Sequence, residues 1–120
     1  MSDQTISFAK QIASCSPSLE LLLKEHVKDN DEVLPHVFFG DIVRHVVSLI
    51  LTARKDGPSS SSELTNILDS LEKAYSLGNG EIQELVSVSF LENLPRPGEE
   101  GAEIRGIVGP HLKKQLRLIG

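Results

Sequence analysis

From Ile82 to Leu94 the chain sets Ile82, Leu85, Val86, Val88, Phe90, Leu91 and Leu94 in nearly every direction around a helix, with the small Ser87 and Ser89 filling the gaps. A helix that is apolar all round has to be covered on more than one side, so this stretch predicts a central helix of a globular helical domain. Ahead of it, Leu64, Ile67, Leu68, Leu71, Ala74 and Tyr75 recur at intervals of three and four, which makes a single apolar stripe on an amphipathic helix. The joint between the two is Leu77-Gly78-Asn79-Gly80. Gly78 suits the left-handed closing position, Asn79 offers a cap, and Glu81 and Glu84 fall in the first turns of the second helix, where the dipole favours carboxylates. Two antiparallel helices over 60–77 and 80–94 follow.

The segment from Pro35 to Lys55 reads as a second buried helix. Its β-branched residues invite a strand over 46–51, but Asp41, Arg44, His45, Ser48, Thr52 and Lys55 lie on one narrow helical stripe and strict alternation is missing. Asp56-Gly57-Pro58 stops it, and Ser60 with Glu63 has the spacing of a capping box for the helix that follows.

Toward the N-terminus, Ser16 is an expected N-cap with Pro17 at the first helical position and Glu20 in the first turn, opening a helix over 16–30 whose inner face is Leu19, Leu22, Leu23 and Val27. A short helix through Ile6, Phe8, Ile12 and Ala13 precedes it. Beyond Leu94, the run Pro95-Arg96-Pro97-Gly98 breaks the chain. Residues 99–107 suit a helical turn or two, and a last helix over 109–119 puts Leu112 and Leu116 inward and Lys113, Lys114 and Arg117 outward. The fold class expected is therefore all-α, a single compact bundle or array of five or six helices. Near the end of the 80–94 helix, Asn93 is expected to hydrogen-bond backbone groups.

No apolar run reaches the length of a membrane helix, and the first residues lack the basic start and apolar core of a secretion signal, so the cytoplasm is the expected location. Cys15 is the single cysteine, which excludes an internal disulfide; it reads as a partly buried small side chain. Formal charge is -5, and the last ten residues hold three basic side chains and no acid. An acidic body of this kind repels nucleic acid phosphates and suits a basic protein partner.

The chemistry on offer is sparse. Asp29-Asn30-Asp31-Glu32 is acidic, but it lacks the ligand spacing, central glycine and closing glutamate of a calcium loop. Gly98, Gly101, Gly106 and Gly109 match no phosphate loop, and no cofactor is expected. Asp41 and His45 are four apart on one helix with Arg44 beside them. They have the spacing in which a carboxylate orients an imidazole, or begin a metal site if His26, His36 or Glu92 folds close. Lys113, Lys114 and Arg117 have no aromatic partner for stacking on nucleic acid bases.

The stretch Leu34-Pro35-His36-Val37-Phe38-Phe39-Gly40-Asp41 and the run from Leu85 to Leu94 resemble two signature stretches of a family of short, uncharacterised bacterial helical proteins, over about residues 18–118. The resemblance implies an all-helical fold and no catalytic residue; some relatives stand beside immunity proteins of bacterial toxin systems. The hairpin over 60–94 is also similar to one unit of a HEAT-type array, although no second copy follows at a period near 40. Together these point to a non-enzymatic module that binds another protein, with an immunity-type role and a basic partner in view. Interaction candidates are Asp41, Arg44, His45, Glu81, Glu84, Lys113, Lys114 and Arg117. The alternatives are a small metal-dependent hydrolase built on His45 and Asp41, and self-association through an uncovered apolar face.

Overall fold

The computed structural model describes residues 3–56, 62–77 and 79–119. Among them every regular element is helical: α1 (Asp3–Ala13), α2 (Pro17–Asn30), α3 (Pro35–Asp56), α4 (Ser62–Ser76), α5 (Gly80–Leu85), α6 (Ile104–Ile107) and α7 (Pro110–Ile119). The fold is all-α, as the periodicity requires, and 46–51 lies inside α3. The helix stop at Gly57-Pro58, the Ser60 half of the capping box and the left-handed turn at Gly78 lie outside the described residues.

Local chemistry sets several boundaries. The Ser16 hydroxyl accepts the Leu19 N–H at 3.4 Å from an extended backbone, and Pro17 follows at the first helical position. Asn79 does the same for α5, accepting from Ile82 N–H at 3.1 Å. Helix α2 closes without glycine: Asp31 takes φ 61 and its N–H donates to Val27 O at 2.7 Å. A short polar side chain tolerates that conformation better than most.

The 80–94 stretch departs from the expected regular α-helix. After Leu85 it widens into a π-type segment, Val86–Phe90, and then tightens into a 3-10 turn, Leu91–Asn93. Val86, Phe90, Leu91 and Leu94 are all buried along it, and Val88 is left outside. Ser87 and Ser89 are buried with their hydroxyls satisfied by Gln115 and His36. Asn93 Nδ2 donates to Ser89 O at 2.8 Å, the backbone bond expected of it.

Helix α3 packs on the widened segment and also touches α1, α2 and α4, so the two most apolar stretches form the centre. Phe38, Phe39, Ile42 and Phe90 are fully buried there; Phe8 of α1 stacks on Phe39 with ring centroids 5.7 Å apart, and Phe38 meets Phe39 edge-on. In α2 the expected inner face is corrected. His26 and Val27 both continue the stripe of Leu19, Leu22 and Leu23, yet His26 is the buried one and Val27 is exposed. The ring faces Phe38, and its Nε2 accepts the Leu34 N–H at 2.8 Å, so it supplies the acceptor that the turn before α3 needs.

At the other end, Gly101 has φ +86 and lets Val47 approach to where a Cβ would stand 2.8 Å from its Cγ1. Glu72 of α4 reaches the start of α7, where its carboxylate accepts the N–H groups of His111 (3.2 Å) and Leu112 (3.0 Å) and the His111 Nδ1–H (2.6 Å).

Candidate functional site

Helices α2 and α3 diverge over a groove of about 630 Å3. From α2 it is lined by Leu22, Glu25, His26, Asp29 and Asn30, and from α3 by Val37, Asp41, Arg44 and His45. On each helix these residues recur at three and four, so one face of each helix builds one wall. Three of the expected interaction residues, Asp41, Arg44 and His45, are thus brought together here. Three carboxylates face the groove against one guanidinium.

The pairing within it differs from the expected one. Asp41 holds Arg44, which lies three residues on and whose side chain is 74% exposed. His45 is partly buried, and its Nε2 turns to Glu63 Oε1 at 3.4 Å instead of to Asp41. The Asp41–His45 dyad is therefore corrected: the i,i+4 spacing puts both on one side of α3, and each then finds a nearer partner. Glu63, at the start of α4, also accepts from the hydroxyls of Ser16 and Ser18. Burial alone would raise its pKa, but the bonds from Ser16, His45 and Ser18 and the His45 charge outweigh it and hold the carboxyl below its ordinary value. This node ties α2, α3 and α4 together.

The metal set considered from spacing is dispersed. His36 Nδ1 meets the Ser89 hydroxyl, His26 Nε2 is engaged by Leu34, and Glu92 lines a different hollow. Among the described residues no three His, Cys, Asp or Glu side chains come close enough to share a metal ion. Glu81 and Glu84 are exposed on α5 and line no part of the α2–α3 groove. Lys113 and Arg117 line a hollow with Arg105, Gly106 and Leu116, while Lys114 stands exposed beside it. Cys15 borders a further cleft, between α1 and α4, where Lys73 is the one charged side chain among the described lining residues. Burial pushes its thiol up against a weaker pull from Ser70, so it is protonated at neutral pH.

Glu25 and Asp29 were not among the expected site residues, although their spacing of four with Leu22 three before Glu25 marks one face of α2. Asp29, the first residue of the acidic run 29–32, belongs to the last turn of α2.

Residues 9–118 match the family model described as a domain of unknown function, DUF7674. The chain belongs to the DUF7674 family. No curated protein and no solved structure matches it. The match spans all of α2 to α6 and nearly all of α7, so the α2–α3 groove lies wholly within the DUF7674 domain.

Proposed function

We propose that this chain is a non-enzymatic protein-interaction module that receives a basic segment of a partner protein in the α2–α3 groove. The observation that carries the reading is the lining itself: Glu25, Asp29 and Asp41 flank Leu22 and the half-exposed Val37, so a guest carrying lysine or arginine around an apolar side chain is matched on both counts. Charge of this kind steers association and sets specificity more than it sets raw affinity. The cytoplasm is the proposed setting.

An immunity-type role, in which the partner is a bacterial toxin, is a narrower form of the same proposal and rests on the sequence resemblance alone. Kinship with HEAT-type arrays stands on the same footing, through the α4–α5 hairpin. A hydrolase built on His45 and Asp41 gains no support, because the two side chains belong to different pairs.

Binding of a labelled amphipathic lysine–leucine peptide, followed by fluorescence anisotropy at low and moderate salt, tests the reading. Wild type is expected to bind with an affinity that falls as salt rises, and the Glu25→Lys/Asp29→Lys double variant is expected to lose at least about tenfold while remaining folded by circular dichroism. Equal binding by wild type and variant would remove the groove from consideration.

A further inference from the structure

A second groove of opposite polarity lies at the C-terminal end of the fold. Two adjoining hollows, of about 410 and 300 Å3, share Arg105 and Leu116. Between them they collect Arg96 from the loop after the 3-10 turn, Arg105 from α6, and Lys113 and Arg117 from α7, against Glu92 as the single acidic side chain among the described lining residues. No sequence run announces this cluster; the fold gathers it from three segments. Among the described residues none of the four cations makes an ion pair, in a chain whose formal charge is -5. Arg105 is held in place by donating from Nη1 to Pro95 O at 3.4 Å. The floor is apolar: Leu91, Leu94 and Leu116 are nearly fully buried, and Ile119, 39% exposed, stands at the rim.

We infer that this groove is a docking site for an acidic protein segment that carries a large apolar side chain between its carboxylates. Unpaired cations around an apolar floor match that chemistry in charge and in polarity. Nucleic acid suits it less, because no aromatic side chain among the described residues lines either hollow and the rest of the chain is net acidic. A membrane surface suits it less as well, because the floor leucines lie below the rim and do not protrude. The chain then presents two grooves that share no lining residue among those described, one suited to a basic guest and one to an acidic guest.

The test is titration of the full chain into a labelled amphipathic glutamate–leucine peptide at low salt. Parallel titrations use a labelled single-stranded oligonucleotide and phosphatidylserine–phosphatidylcholine vesicles. The acidic peptide is expected to bind, to release as salt rises, and to lose at least about tenfold in affinity with the surface variant Lys113→Gln/Arg117→Gln. Lys24→Gln, an exposed cation on α2, is expected to leave the affinity unchanged. Urea midpoints of both variants separate lost binding from lost folding. Absence of peptide binding at low salt overturns the inference. So does affinity that the double variant retains, or preferential binding of the oligonucleotide or the vesicles.

Discussion

Replacement of Gly109 by alanine probes a contact between distant parts of the chain that can be worked through in numbers. A Cβ at Gly109 would stand 2.6 Å from Glu72 Oε1, well inside van der Waals contact, so the carboxylate has to leave. With it go the bonds that hold the start of α7 to α4: Leu112 N–H at 3.0 Å, His111 N–H at 3.2 Å and the His111 ring. The ring is 59% exposed, so its share is small. The two backbone donors are equivalent to a lost N-cap, worth about 1–2 kcal/mol. Gly109→Ala and Glu72→Ala should therefore each cost about 1–2 kcal/mol. In the Glu72→Ala background the obstacle is gone, and the small cap preference for glycine over alanine is offset by the lower entropy of the unfolded chain, so the second substitution should cost less than about 0.5 kcal/mol. Urea midpoints of the four proteins complete the cycle. Additive losses would refute the idea that Gly109 is there to admit Glu72.

Further outcomes follow from single contacts. His26→Leu leaves the Leu34 N–H without its acceptor and should lower stability by about 1–3 kcal/mol, with His26→Gln recovering part of it; equal urea midpoints for wild type and His26→Leu would show the bond to be dispensable. Asn93→Leu should cost about 0.5–1 kcal/mol, because the bond to Ser89 O is made by a residue on the surface, and an unchanged midpoint would mean water replaces it fully. For Glu63 the folded carboxyl titrates below the unfolded one, so its stabilisation is complete above the unfolded value of about 4.3 and is lost as pH falls through the folded value. Wild type should accordingly exceed Glu63→Gln at pH 7 and lose that lead in acid; a stability gap independent of pH would contradict the assignment.

The helices and their order were legible because period and caps are local. Ser16-Pro17 and Asn79-Gly80 each carry their own start signal, and the polar stripe of α3 settled helix against strand. The widened turn at Val86–Phe90 was not legible as a shape. The all-round apolar pattern marked the segment as central, which the packing of α3 against it bears out, but a regular and a widened turn bury such a pattern equally well. Spacing found that Asp41, Arg44 and His45 share a wall, but it misassigned the partner of His45, since Glu63 is 18 residues away in sequence, on α4. The buried His26 was hidden because a histidine and a valine continue the stripe equally well, and the deciding donor, the Leu34 N–H, lies eight residues on. The basic groove was half visible in Lys113 and Arg117; Arg96 and Arg105 join them only through the loop after Leu94.

The most direct measurement of the central proposal is a two-dimensional 1H–15N NMR titration of the labelled chain with the lysine–leucine peptide. Binding in the α2–α3 groove predicts that the amide signals of Leu22, Glu25, Asp29, Val37, Asp41 and Arg44 move together and saturate at one affinity, while those of Gln11 and Ser70, in the cleft between α1 and α4, stay in place. Shifts confined to that cleft, or no saturable shift at low salt, would contradict it.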